Sequence, residues 1–238
     1  MKTINNQPIA DIHTHILPGI DDGPKTADES LEMLLMQQKQ GITDVVLTPH
    51  FLLSHGSIED FLAKRDVSFK ILMEKIKESK LPININLHLG AEVRYDPNLI
   101  YSDISKLCIG NTSYILLELA GSYPFNFEQT IQWLISKGIT PILAHIERYD
   151  YLFSNQKLLE ELFDLGVIFQ SNASSLKSVR YARRVKKLIK QGYVRVLASD
   201  AHNTVTRLPE LVKGLCAVPK FSRSLISNSL KIVENKTI

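Results

Sequence analysis

The chain has 238 residues, 44% of them hydrophobic and 22% charged, with a formal net charge of +3. That is the make-up of an ordinary globular protein with ample core material, and the charge is too small to argue for nucleic acid. There is no run of about 18 uncharged apolar residues to suggest a membrane span, the opening MKTINNQPIADIH lacks the apolar stretch of a signal peptide, and two distant cysteines, Cys108 and Cys216, suggest reduced thiols in the cytosol rather than a disulfide framework.

In chain order, the first expected strand is IADIHTHI (9–16). A helix follows in TADESLEMLLMQQKQ, opened by Thr26 and Glu29 at capping-box spacing and carrying Leu31, Leu34 and Leu35 at helical intervals. A pattern then recurs. A helical segment ends near a glycine, a short apolar run follows, and a polar or metal-capable residue closes it. Copies read MQQKQGITDVVLTPH, LISKGITPILAHIER, LFDLGVIFQSNA and IKQGYVRVLASDAH, where Gly41, Gly138, Gly166 and Gly192 suit the left-handed position past a helix end. DVVLT, PILA, VIFQ and VRVLA read as buried parallel strands, and INLHLGAE and SYILLELA add two more. IEDFLAKRDVSFKILMEKIKES and FEQTIQWLISK read as helices, and KSVRYARRVKKLIK as a basic helix over 177–190 with seven cationic side chains. About seven strands alternating with helices mean a βα barrel or an open doubly wound sheet. No Gly/Ser-rich linker divides the chain, so residues 1–238 are expected to form one domain.

The chemistry-bearing residues gather at strand ends. His13 and His15, two apart, project from one face of a strand. The next runs end in or carry His50, Glu92, Glu118, His145, Asp200 and His202, so histidine or carboxylate closes six of the seven strands. In a barrel those ends face a common pocket, a placement that unrelated core histidines would not share. With Asp22 the count is nine candidate ligands. One tetrahedral ion takes four, so two or three carboxylate-bridged metals are expected. Mixed imidazole and carboxylate ligation suits Zn, Mn or Fe, and clustered divalent ions suit a phosphate ester. Arg148 and Arg207, close in sequence to His145 and His202, are candidates to clamp phosphate oxygens through forked donor pairs; a surface salt bridge is the plainer reading of each.

Other residues take plainer roles. Asp21 reads as shaping the turn before Gly23, His55 as a loop residue, His88 as structural and buried, and Trp133 as core. The basic helix reads as a solvated face, with docking to an acidic partner or membrane surface as its alternative.

DIHTHILPGIDDGP, TPH, GAE, LLEL, AHIERY and SDAHN together resemble the polymerase and histidinol phosphatase (PHP) superfamily. More closely, they are similar to its bacterial branch of metal-dependent protein-tyrosine phosphatases from capsule and exopolysaccharide operons. The likeness runs from Asp11 to about Arg207; DDGP and HIERY are its branch-specific parts. The resemblance implies a distorted (β/α)7 TIM-like barrel holding three divalent ions, with manganese expected and iron or zinc as alternatives. It implies a first metal on His13, His15, Glu92 and Asp200, a second on Glu118 and His145 bridged by Glu92, and a third on Asp22, His50 and His202. It favours Asp22 over Asp21 as ligand and places Arg148 and Arg207 at the phosphate. The implied catalytic set is Arg148, Arg207, Asp200 and His50. The implied substrate is the phosphotyrosine tail of a bacterial tyrosine autokinase that controls polysaccharide export, with a cytoplasmic enzyme recruited to the membrane by that kinase and neither nucleic acid nor membrane insertion involved. The loop FLLSHGSIED departs from the branch in being apolar.

Cysteine-based tyrosine phosphatases need a Cys-x5-Arg loop, and the residues six beyond Cys108 and Cys216 are Tyr114 and Ser222. Metal and water must then remove the phosphate. The rival substrates are histidinol phosphate, another small phosphomonoester or a nucleic-acid end. An amidohydrolase is disfavoured because Glu118 stands where a metal-bridging lysine is often found, and an inactive kinase-binding scaffold is disfavoured by the complete ligand set.

Overall fold

The computed structural model describes residues 7–238; residues 1–6, part of the expected domain and of the N-terminal stretch read for a signal peptide, lie outside the described residues. All seven expected strands form, and all their pairings are parallel. They are β1 (Ala10–Thr14), β2 and β3 (Asp44–Leu47, His50–Phe51), β4 and β5 (Asn86–Leu89, Glu92–Arg94), β6 (Tyr114–Glu118), β7 (Thr140–Leu143), β8 (Ile168–Asn172) and β9 (Val194–Ala198). INLHLGAE is broken at Gly90–Ala91, and the DVVLT strand is followed, past Thr48–Pro49, by the short β3. β1, β2 and β4 form one sheet, and β3, β5, β6, β7, β8 and β9 form a second. The chain passes from one to the other through Thr48–Pro49 and Gly90–Ala91. At that crossing Gly90 is pressed against Val46 and Thr48, where a Cβ would sit 3.2 Å from Val46 Cγ1, and Gly90 N donates to Leu47 O. Past β9, Asp200 N donates to His13 O and His15 N to Ala201 O, tying the end of the last strand to the first. The result is the α/β parallel architecture expected from the sequence, distorted by the two breaks.

The helices are α1 (Ala27–Lys39), α2 (Ile58–Ser79), α3 (Phe127–Ser136), α4 (Asp150–Ser154), α5 (Gln156–Asp164), α6 (Ala182–Gln191), α7 (Leu211–Ala217) and α8 (Ser222–Val233). Thr26 caps α1 by accepting from Glu29 N, but the capping box is not reciprocal: the Glu29 carboxylate takes Lys25 N instead. The full box forms at α2, between Ser57 and Asp60. The basic helix is shorter than expected. Lys177 ends a 3-10 turn and Arg180 lies ahead of α6, because that turn is fastened by Ser175 to the buried Glu147. Gly41, Gly138, Gly166 and Gly192 all have positive φ, as their place after a helix requires.

Strand alternation divides the core. Leu117, Leu143, Phe169 and Leu197 pack toward the helices, while Leu116, Ile142, Ile168 and Val196 form a second cluster with Ile12 and with Ile232 of α8. Going along β6, β8 and β9 with the same parity, the next residues are Glu118, Gln170 and Asp200. β1 breaks this rule: Ile12 belongs to the inner cluster, yet His13 also reaches the site. A register irregularity between Asp11 and Thr14 turns it there. Trp133 lies partly buried against the outer core, as expected. His88 does not share a face with Glu92 across the break. It is half-buried and pairs with Asp44 Oδ1 at 3.0 Å.

Gly214 of α7 lies against the turn after β8, where a Cβ would meet Ala173 Cβ at 2.5 Å and Cα at 2.8 Å. Gly→Ala ordinarily favours a helix by up to about 1 kcal/mol. Here overpacking should reverse the sign, costing about 1–3 kcal/mol. Gly214→Ala is expected to lower the melting temperature by several degrees, and Gly121→Ala, with no neighbouring atom within 4 Å, to leave it unchanged.

Candidate metal centre

All nine expected ligands meet at one end of the strands. Three overlapping groups have donor atoms within 4.8 Å of one another: His13, His15, Glu92 and Asp200; His15, Asp22, His50 and His202; and His50, Glu92 and Glu118. His145 joins through Glu92 Oε1 at 2.8 Å and Glu118 Oε1 at 3.6 Å. The first group is the set implied for a first metal. The other two differ in detail from the implied sets: His15 is added beside Asp22, His50 and His202, and His50 stands with Glu92 and Glu118 where His145 was implied.

Glu92 is the hub. Its Oε2 lies 3.1 Å from His15 Nε2, 3.1 Å from His50 Nδ1 and 3.3 Å from His13 Nε2, and Glu92 itself is 1% exposed. His13 Nε2 and His15 Nε2 are 3.2 Å apart. Despite this crowding, Glu92 Oε2, His50 Nδ1 and His202 Nε2 are buried with no hydrogen-bond partner. Buried polar atoms without partners are costly, and these three converge on common space. Imidazole and carboxylate donors gathered in this way fit divalent metal ions.

The electrostatics agree. Burial disfavours charge on His15, yet its hydrogen bond to Asp21 and the Glu92 carboxylate beside it push it up to about 10. Burial likewise opposes charge on Glu92, but the neighbouring imidazoles hold its carboxyl well below the usual range. The carboxylates thus demand positive charge. His202 goes the other way: burial, then His15, hold it down to about 3, keeping it neutral as a metal ligand must be.

Several neighbours aim the ligands. Asp21 does shape the turn, accepting from Gly23 N at 2.9 Å, and it also bonds His15 Nδ1 at 2.7 Å and His50 N at 3.1 Å, a wider role than the sequence suggested. β8, from the one of the seven expected runs that ends without a candidate ligand, supplies Gln170 and Asn172. Gln170 Oε1 accepts from His145 N at 2.9 Å and faces His13 Nδ1 at 3.2 Å; its Nε2 donates to Asn172 Oδ1, and Asn172 Nδ2 donates to Asp200 Oδ2 at 2.7 Å. Below them Glu147 accepts from Ser171 Oγ, Asn172 N and Ser175 Oγ. Sequence reasoning missed these partners; the one available signal was the i, i+2 parity of Gln170 and Asn172. Arg94, also missed, follows Glu92 at the same spacing and lies 3.3 Å from Glu118 Oε2. His145 and Asp200 both hold left-handed backbone, with φ of 31° and 52°, a conformation that costs non-glycine residues about 1–3 kcal/mol and here turns both side chains into the site.

Arg148 and Arg207 reach the centre from opposite sides of Asp200. Arg148 Nη2 bonds Asp200 Oδ2 at 2.7 Å, Arg207 Nη2 bonds Asp200 Oδ1 at 2.9 Å, and both side chains line an open hollow with Asn172, Ser199 and Thr206. His55 is exposed in its loop and belongs to none of the three donor groups.

The family model for capsular polysaccharide synthesis, CpsB/CapC, matches residues 9–236. The chain belongs to the CpsB/CapC family. Among its relatives is tyrosine-protein phosphatase YwqE of Bacillus subtilis, 31% identical over 244 residues that cover 96% of this chain and 92% of YwqE. Tyrosine-protein phosphatase CpsB of Streptococcus agalactiae is 28% identical over 246 residues, covering 96% and 99%. A solved structure from a study of YwqE of B. subtilis and CpsB of Streptococcus pneumoniae, described there as unique metal-dependent tyrosine phosphatases, superposes with a TM-score of 0.84 at 27% identity, covering 97% of this chain and 96% of that one. The family resemblance read from the motifs therefore holds.

Partners that fix a ligand's orientation typically contribute 10–100-fold to metal affinity. Gln170→Leu removes the acceptor facing His13 Nδ1. It is expected to weaken divalent-ion uptake by chelator-treated protein by about 10-fold or more, read by calorimetric titration; unchanged uptake would remove Gln170 from this role.

Proposed function

We propose that this chain is a metal-dependent protein-tyrosine phosphatase that hydrolyses phosphotyrosine on the tail of a bacterial tyrosine autokinase and so regulates capsule or exopolysaccharide synthesis. The reading takes residues 1–238 as one phosphatase domain, working in the cytoplasm and brought to the membrane by its kinase substrate. Among the described residues no helix is long and apolar enough to cross a membrane. The observation that carries the reading is the convergence of nine candidate imidazole and carboxylate ligands on one pocket with two arginines beside it, in a chain of the CpsB/CapC family.

Three divalent ions, manganese by preference, would be held by His13, His15, Glu92 and Asp200, by Glu118 and His145 with Glu92, and by Asp22, His50 and His202. When bound, the ions supply Lewis acidity toward the phosphate oxygens and the attacking water. The chain's own residues do the rest. Arg148 and Arg207 bind the phosphate oxygens and counter the charge that grows on the transferring phosphoryl group. Asp200 holds both guanidinium groups in place, and Asp21 fixes the His15 ring through Nδ1. The tyrosine oxygen leaves as a phenol with a pKa near about 10, so the demand for a general acid is lower than for an alkyl phosphate. A thiolate route finds no support: burial pushes the Cys108 thiol up to about 12.

The test is turnover of a phosphotyrosyl peptide by chelator-treated protein with and without added Mn²⁺, beside histidinol phosphate and a phosphoseryl peptide. Metal-dependent turnover with preference for phosphotyrosine is expected. Arg148→Ala should lower kcat/KM on the phosphotyrosyl peptide by about 100-fold or more while the protein still folds cooperatively. Preference for histidinol phosphate would transfer the site to that substrate, and full activity of Arg148→Ala would remove the arginine from the phosphate.

A further inference from the structure

The apolar loop after His50 forms part of a surface that the proposed chemistry does not use. A cavity of about 120 Å³ opens beside His50, with Ile20, Phe51, Leu52 and Phe61 among its walls and Lys64 at its outer end. A second hollow of about 420 Å³ begins at the same Ile20 and Lys64 and continues between the loop Pro18, Gly19, Ile20 and one face of α2. That face carries Ala63, Val67 and Ile71, spaced i, i+4, i+8. Val67 is 61% and Ile71 45% exposed.

This stripe is not the one that packs α2 onto the fold. Phe61, Arg65, Ser68 and Leu72 are buried on the other side, and the outward face of an amphipathic helix is ordinarily polar. β-branched residues contribute nothing to helix propensity there that Ala, Glu or Lys would not improve. The loop wall opposite is fixed, since Ser68 Oγ donates to Pro18 O at 2.7 Å.

We propose that this groove seats apolar side chains of the substrate polypeptide flanking the phosphotyrosine. The proposal rests on the phosphotyrosine reading above and specifies its substrate class: a segment bound in extended form with aliphatic residues a few positions from the target. Continuity with the catalytic mouth selects this occupant, because the groove and the His50 cavity share Ile20 and Lys64. Its length agrees. The seven-residue step along the helix from Lys64 to Ile71 spans about 10 Å, the reach of about three residues of extended chain. Lys64 adds charge complementarity at the junction for an acidic residue next to the phosphotyrosine, and the nearby Asp60 is occupied by capping Ser57. A second copy of the chain fits less well: three aliphatic side chains beside a three-residue loop make a strip one peptide wide, whereas a specific dimer takes roughly 20–30 residues a side.

The experiment compares kcat/KM of the full-length, metal-loaded protein on two phosphotyrosyl peptides, one with Leu or Ile two to four positions from the phosphotyrosine and one with Ser at those positions. A small aryl phosphate serves as control, and solution mass is measured by light scattering. The native chain should favour the apolar peptide by about tenfold or more. Val67→Glu with Ile71→Glu, both solvent-facing and outside the metal centre, should abolish that preference while leaving turnover of the small aryl phosphate unchanged. Equal kcat/KM on the two peptides in the native chain, or a preference that survives the double substitution, overturns the proposal. So does a native dimer that the substitutions dissociate with the preference intact, which would make the groove a self-contact. Turnover of the aryl phosphate but of neither peptide overturns the phosphotyrosine reading itself, and the groove assignment with it.

Discussion

The structure depends on one crowded carboxylate. Glu92 is buried with three imidazole nitrogens within 3.3 Å of a single oxygen, yet that oxygen accepts no hydrogen bond. Protons on the histidines can balance the charge in part, as the raised His15 indicates, but in this arrangement Glu92 Oε2, His50 Nδ1 and His202 Nε2 still lack hydrogen-bond partners. Divalent cations can satisfy such atoms, and the breaks, bulge and strained residues around Glu92 make sense as ways of bringing donors to the ions. β4 and β5 part just before Glu92, β1 loses its alternation at His13, and His145 and Asp200 take left-handed backbone at the ends of their strands.

Two layers support the cluster. Immediately outside the candidate ligands, a loop carboxylate and two amides of β8 orient the rings and carboxylates: Asp21 for His15, Gln170 for His13, Asn172 for Asp200. Further out, buried acids tie those partners to the scaffold. Glu147 collects three donors from β8 and the turn after it, and Asp11 joins Gln37 of α1 to Ser199 N beside Asp200. Arg148 and Arg207 are held by the same Asp200 carboxylate that belongs to the first donor group, so the cationic side of the pocket is positioned by the metal centre rather than independently of it.

The candidate ligands were legible in the sequence because titratable residues at strand ends are rare and repeat with the strands. The seven strands were legible for a related reason: continuous apolar runs after helix-ending glycines. What the sequence hid has physical causes. Gln170 and Asn172 are neutral and sit in the one strand that ends without a ligand, so no metal pattern marks them. Glu147, between His145 and Arg148, looks like part of a charged surface turn, and only the fold reveals it as fully buried. The strand break at Gly90–Ala91 falls inside INLHLGAE, a run that reads as uninterrupted, and His88, read as buried, is half-buried ahead of that break and pairs with Asp44. The basic segment reads as one helix because its charges are evenly spaced, but Ser175 and Glu147 hold its first turn apart from α6.

The central claim is that nine side chains from all but one of the seven strands and their loops enclose divalent ions. Anomalous diffraction at the manganese edge, from crystals grown with Mn²⁺, tests it most directly. The account expects strong peaks enclosed by Glu92 and its neighbouring imidazoles, each within coordinating distance of those side chains. A map without peaks there, at full Mn²⁺ and with the side chains ordered, would contradict it.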